Sequence, residues 1–599
     1  MPLILTSILK KLSLQRQPIA FFIMRKIYLA AFSIVFFICC SKEKAADRNK
    51  AFEHYRKSFI EALWINFPDY AAASGFHKYD NVLVVNDATT RAKQLAFIKS
   101  NLDSLGNYDE KSLNPGNFTD YKMMGNMLKS YAFGMEEMKS WEWNPAEYNV
   151  SGPFAEILNG SYDFLSVRLK NISLKLDEVP AYYAAAKQNI RNPTREHTEL
   201  AISQNTGGLS VFEKDLPAML EKSDLSAAEK DAMKAKTASA VNAIKDYVSW
   251  LQKLDNPTPR DFRLGKKLYD KKFEFDIQSA YTSSQVLEKA VAHKKELHEK
   301  MFVIADRLWS KYLGTAPKPS DKNQLIRQVI DKISLQHAKP ELFQQAIEKQ
   351  LPELLAFIKQ KDLIYIDPSK PLEVRKEPDY MAGVAGASIS APGPYDKNAK
   401  TYYNVGSLSG WSAAESESYL REYNDYILQI LNIHEAIPGH YTQLVYSNQS
   451  PSLIKSIAGN GAMVEGWAVY SELMMLENGY ANSDEMWLMY YKWNLRSTCN
   501  TILDIGVHTK NLSKDDAMDL LINEAFQQQA EAEGKWRRVC LTQVQLCSYF
   551  TGFTEICELR EAYKKQQGEK FRLKDFHSKL LSYGSAPVKY IRELMLEKQ

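Results

Sequence analysis

The chain has 599 residues and a formal net charge of +4. The excess sits at the front: residues 1–39 carry Lys10, Lys11, Arg16, Arg25 and Lys26 and no acidic residue, and the remainder holds 71 basic against 72 acidic residues, a net of −1. Such a mixed, near-neutral chain offers no footprint for nucleic acid and no basic patch for anionic lipid.

At the N-terminus, residues 1–23 read as an extension ahead of a start at Met24. Met24-Arg25-Lys26 is followed by an apolar run from Ile27 to Ile38 and then by Cys39-Cys40-Ser41-Lys42. The run is too short to span a bilayer and reads as an export signal. A cysteine straight after it resembles the bacterial lipoprotein signal, with Cys40 as the lipidated residue. Residues 1–39 are then a removed leader, and 40–50 a flexible linker. Of the later cysteines, Cys540 and Cys547 are seven apart on an expected helix, a rise of about 10 Å, too far to bridge. With no Cys-x-x-Cys spacing, the thiols are expected to be mostly buried.

Residues 51–310 carry helical patterns. Ser226-Ala227-Ala228-Glu229 opens a run to Leu254, Asp255-Asn256-Pro257-Thr258-Pro259 breaks it, and a second long run spans Ser283 to Tyr312. Residues 313–322 are expected to join two lobes, about 51–320 and 321–599. Asp362 to Ile366 reads as a short strand stopped by Asp367-Pro368. Gly383 to Gly393 is rich in small residues, and Thr401 to Val405 is another strand candidate. From Ser407 the chain reads as helical almost to its end.

An apolar run (Ile427, Leu428, Ile430, Leu431) leads into His434-Glu435-Ala436-Ile437-Pro438-Gly439-His440. Two imidazoles and a later carboxylate are what a catalytic zinc takes from a protein, leaving a fourth position open. Glu435 follows the first histidine, where a metallopeptidase helix carries its general base. Positions i and i+6 of a regular helix lie about 240° apart, so a straight helix cannot aim both histidines at one ion. Pro438 and Gly439 are therefore expected to make a local bulge that returns His440 to the metal. Ser447 to Pro451 reads as a turn, after which Glu465 and Glu472 share one helical face, with Trp467 and Tyr470 nearby.

The pair His-Glu-Ala-x-Pro-Gly-His and Glu-Gly-Trp-Ala-x-Tyr resembles the bacterial domain-of-unknown-function 885 family, grouped with zinc peptidases whose third ligand is a glutamate. Arg263-Leu264-Gly265-Lys266-Lys267-Leu268-Tyr269, Asp504-Ile505-Gly506-Val507-His508, and the block from Phe576-His577 to Gly584-Ser585-Ala586-Pro587 extend the resemblance over about residues 50–597. Two features depart from it. Tyr441 stands where a second consecutive histidine is common, and Gln543-Val544-Gln545-Leu546 replaces a Pro-Gly-Gln-Ala block, although Gln545, Tyr549 and Gly552 keep the pattern.

The resemblance implies a mostly α, two-lobed architecture like that of zinc peptidases, with a deep cleft and a small β-sheet near the metal helix. An edge strand there can pair with extended substrate; an ordinary packed strand is the alternative. The expected activity is zinc-dependent hydrolysis of peptide bonds in short peptides. His434, His440 and Glu465 hold Zn(2+), Glu435 is the general base, and the oxyanion donor is sought among Tyr549, His508 and Arg538. His508 reads equally as a packed histidine near Asp504, and Tyr549 equally as core. The protein is expected at the envelope, joined to the membrane through lipid on Cys40. The alternative function is an inactive or non-catalytic lipoprotein that binds peptides or glycans.

Overall fold

The computed structural model describes residues 47–377, 387–396 and 400–596. The leader, Cys39, Cys40 and residues 383–386 of the small-residue stretch lie outside these. The described chain is mostly helical with one three-stranded sheet. The expected long helices form. Ala227–Gln252 starts at a Ser226/Glu229 capping box, and α1 (Ser283–Leu313) starts at a Thr282/Gln285 capping box. In each, the cap hydroxyl and the side chain three residues on satisfy N–H groups that the first turn leaves unpaired.

The largest hydrophobic core draws on both sides of residue 320, from Phe52 to Met595. A separate core is carried mainly by residues 148–251, with Tyr183, Tyr247, Phe154 and Phe212 buried in it. A third, smaller core joins Tyr269, Phe273 and Ile277 to Val544, Cys547 and Phe550.

The expected small sheet forms, and of the two expected strands Thr401 to Val405 forms and Asp362 to Ile366 does not. The sheet's strands are β1 (Leu372–Lys376), β2 (Ala387–Ser390) and β3 (Thr401–Val405), in the order β1-β3-β2. β1 pairs parallel and β2 antiparallel to β3. Thr401 to Val405 is thus the central strand rather than an edge. Leu363 to Ile366 is not a strand: Leu363 and Ile364 are buried apolar anchors in a loop. A short apolar run satisfies either reading, and here the main chain finds no ladder partner.

The site is built from a second set of helices: α2 (Asp425–Glu435), α3 (His440–Asn448), α4 (Gly461–Glu477), α5 (Asp484–Lys510), α6 (Gln529–Leu541), α7 (Ser548–Gln567) and α8 (Leu573–Leu581). Cys540 closes α6 and Cys547 lies in the turn before α7, so the two are not on one helix. Cys499, Cys540 and Cys547 are buried free thiols, and Cys557 is partly buried.

Helices α4 and α7 cross in backbone contact. A Cβ on Gly466 would lie 2.3 Å from the Gly552 carbonyl carbon, and one on Gly552 would lie 1.7 Å from the Ala462 oxygen. Only glycine fits at either place, and the close crossing draws Tyr549 on α7 toward Glu465 on α4.

Candidate metal centre

The expected bulge is a full break between helices. α2 ends at Glu435 and α3 begins at His440. Between them the Gly439 amide donates back to the Ile433 carbonyl at 2.9 Å. The turn is so tight that a Cβ on Gly439 would stand 1.8 Å from the His434 carbonyl oxygen. The Trp467 indole N–H donates to the Pro438 carbonyl at 2.8 Å and ties the turn to α4. Trp467 in turn packs edge-on against His577, whose Nδ1 meets the Leu363 carbonyl at 2.8 Å and whose Nε2 meets the Tyr470 hydroxyl at 2.9 Å.

This break turns two helix ends toward one point. The rings of His434 and His440 are 4.8 Å apart and nearly perpendicular, and Glu465 projects between them from α4. Glu465 Oε2 is 3.8 Å from His434 Nε2 and 3.3 Å from His440 Nε2. One ligand atom from each of the three residues falls within 4.8 Å of the others. Glu465 Oε2 is nevertheless buried with no aligned hydrogen-bond partner. A desolvated carboxylate oxygen needs a partner, and two imidazoles with one carboxylate are zinc's ordinary donor set. The residues present fit that ion.

A buried layer aligns the first histidine. His434 Nδ1 is 2.7 Å from Glu472 Oε1, and the Trp493 indole N–H donates to the same oxygen at 3.0 Å. Glu472 is wholly buried. With Nδ1–H engaged, Nε2 is the nitrogen left for a metal. Burial opposes charge on His434, but its contacts with Glu465 and Glu472 outweigh this and raise it to about 10. Burial likewise works against ionised Glu465, yet His434 and His440 hold its carboxyl well below the usual range.

Glu435 is the last residue of α2 and is partly buried beside the cluster. Burial raises its carboxyl, and the two imidazoles pull it back. The β3 residue Tyr403 braces the same helix, donating its hydroxyl to Asn432 Oδ1 at 2.9 Å.

Of the three oxyanion candidates, Tyr549 and Arg538 are brought to the cluster and His508 is not. The Tyr549 ring lies 6.4 Å from that of His434, at 20° to it. Arg538 donates to the Tyr549 hydroxyl at 3.3 Å and to Gln545 Oε1 at 2.7 Å. His508 is fully buried; its Nε2 meets the Val539 and Thr542 carbonyls at 2.9 and 3.1 Å, and its ring stacks on Tyr269. It therefore pins the end of α6 rather than facing a substrate. Asp504 completes this brace by accepting from Tyr269 at 2.7 Å and from the Val544 amide at 2.9 Å. Val544 stands in the left-handed region at φ +73°, where the resembled block has glycine. The brace holds the departed turn in place and, through it, Gln545 and Arg538.

Sequence reasoning placed Glu472 on the face of Glu465 without giving it a task, and it missed Trp493 and Gln545. A carboxylate two helical turns beyond a ligand was the available signal for Glu472. Trp493 carries none, because its role depends on how helices pack, and for Gln545 the only signal was that it keeps the pattern of the resembled block.

A family of bacterial proteins of unknown function (DUF885) matches residues 68–595. The chain belongs to this family. The chain is similar to a candidate lipoprotein of unknown function from Shewanella oneidensis, whose solved structure is 52% identical, with a TM-score of 0.83 over 91% of this chain and 100% of that one. A candidate lipoprotein from Colwellia psychrerythraea shares the fold at 16% identity, with a TM-score of 0.75 over 92% of this chain and 98% of that one. No curated protein matches the chain. Among the described residues no helix is long and apolar enough to cross a membrane.

Proposed function

We propose that this DUF885 protein is a zinc-dependent peptidase that cleaves short peptides. The observation that carries the reading is Glu435 standing beside the three converging donors of His434, His440 and Glu465. A binding protein has no use for a carboxylate base next to a metal-ligand set. His434, His440 and Glu465 would hold the ion, with Glu472 and Trp493 fixing the His434 ring. A bound zinc supplies Lewis acidity toward the scissile carbonyl and lowers the pKa of water.

The chain's own groups do the rest. Glu435 takes the proton of the attacking water and returns it to the leaving amine. Because Arg538 donates to the Tyr549 oxygen, the phenolic hydrogen is left to donate to the oxyanion. The peptide lies in the cleft expected between two lobes, as in other zinc peptidases. β1 and β2 are the outer strands among the described residues; β2 packs on α2 and would offer its edge to extended substrate.

The protein acts at the cell envelope, anchored by lipid on Cys40 after loss of residues 1–39. The 52% identical relative from Shewanella oneidensis is itself described as a candidate lipoprotein, which supports this reading. Mass spectrometry of the membrane-bound form should find a modified Cys40 at the N-terminus; an unmodified residue upstream of Cys39 would refute it.

The test of the activity is metal analysis of the purified protein together with cleavage of a mixed peptide library. About one zinc per molecule is expected from one three-donor site, with cleavage lost on chelation and restored by zinc. A zinc-bearing protein that leaves every peptide intact would favour a binding lipoprotein instead.

A further inference from the structure

Beyond the metal cluster, the structure holds an unusual group of cations on α6 and α5. Glu531, Lys535 and Arg538 lie at i, i+4 and i+7, on one face of α6. Arg496 of α5 reaches across to Glu531, its Nε 3.0 Å from Oε1, and Lys535 Nζ is 3.6 Å from the same oxygen. Two cations thus share one carboxylate. The nearby Lys492 is already paired with Glu422 at 2.6 Å.

Arg538 is the cation left over. Among the described residues no carboxylate lies within ion-pair distance of it. Positions i±3 and i±4 from Arg538 hold Lys535, Gly534, Leu541 and Thr542, none of them acidic. Glu531, the acid on its own face, is committed to Arg496 and Lys535. The two hydrogen bonds of Arg538 engage a single terminal nitrogen, bonded to Gln545 and Tyr549. A guanidinium carries five N–H donors in a fixed fork, so a planar bidentate acceptor remains to be met. Its Tyr549 partner lies beside His434, so one hydrogen bond links this fork to a neighbour of the candidate metal cluster.

We propose that Arg538 anchors a carboxylate of the substrate, so that the enzyme selects peptides bearing an acid close to the scissile bond. This rests on the peptidase reading and narrows it. Arg538 and carboxylate pair in two parallel N–H···O bonds, the geometry for which arginine is preferred. Two sources share this chemistry: the C-terminal carboxylate of a short peptide, which makes the enzyme a carboxypeptidase, and the side chain of an acidic residue.

The test measures binding, not turnover, on protein stripped of metal by a chelator, so that a carboxylate has no ion to coordinate. The probes are Ala-Ala-Ala as free acid, the same peptide as its C-terminal amide, and the amide of Ala-Ala-Glu. The free acid should bind about 10- to 100-fold tighter than the Ala amide, the range of a charge-assisted pair. If the Glu amide recovers that affinity, the acidic side chain is also a source. Arg538→Gln should abolish the preference, and Arg538→Lys, which keeps charge without the fork, should retain only part of it. If Arg538→Gln fails to fold, as judged by its melting curve, the Arg538→Lys comparison decides alone. Equal binding of all three probes, no binding of any, or a preference that survives the substitution overturns the proposal. Failure of the zinc-loaded parent to cleave peptides, with the binding preference intact, would count against the peptidase reading alone.

Discussion

Glu472 Oε1 receives two N–H groups at once, Nδ1 of His434 at 2.7 Å and the Trp493 indole at 3.0 Å, and so fixes the first ring of the candidate metal site. The three residues come from α2, α4 and α5. The orientation of one ligand thereby depends on how three helices pack.

Replacing Glu472 with glutamine should weaken zinc binding about 10- to 100-fold, the usual cost of losing such an outer partner. Trp493→Phe removes only one donor and should cost less. Competition titration against a chromophoric chelator reads both. Unchanged zinc affinity in Glu472→Gln would show that the His434 ring is held without it.

Gly439→Ala tests the break between the helices. The added Cβ would meet the His434 carbonyl at 1.8 Å, a backbone contact that no side-chain rotation can relieve. The turn must shift, and His440 moves with it. We expect a loss of at least about 1–3 kcal/mol in stability and a clear fall in zinc content. A variant with parental melting and full zinc would mean that the turn is more yielding than its contacts indicate.

The convergence of His434, His440 and Glu465 was legible because these residues are chemically distinctive and close in sequence. Proline and glycine between the histidines foretold that the helix could not run straight, although not that it ends at Glu435 and restarts at His440. The helices with capping boxes were equally legible, since their signals lie within three residues. The sheet was legible only in part: Thr401 to Val405 read as a strand from its β-branched and aromatic residues, but β1 and β2 did not, since a strand is defined by partners that a local pattern cannot name. His508 stayed open between a chemical and a packed role for a related reason, and the packed reading is the one the structure bears out. A histidine in a recurring motif suggests chemistry, but only the packing of Tyr269 and the ends of α6 shows that it is a brace.

Acid should loosen this protein through its buried histidines. Burial is the main cause that lowers His577 and His197 to about 4, from an ordinary value of 6.5. A group with a depressed folded value binds fewer protons folded than unfolded. Its contribution is complete above about pH 6.5 and is lost as pH falls toward 4, by up to about 3 kcal/mol for each histidine. His577→Gln can still donate to Leu363 and accept from Tyr470. In the presence of chelator it should show a smaller drop in melting temperature between pH 7.5 and 5 than the parent. An equal drop would mean that His577 is not a source of acid sensitivity.

The most direct test of the account compares Glu435→Gln with the parent on one peptide substrate, with zinc content measured in the same samples. Glutamine keeps the shape of Glu435 but cannot take a proton. The account predicts parental zinc and melting, with turnover lower by about 10²- to 10⁴-fold, the contribution of a positioned general base. Turnover equal to that of the parent, at full zinc occupancy, would contradict it.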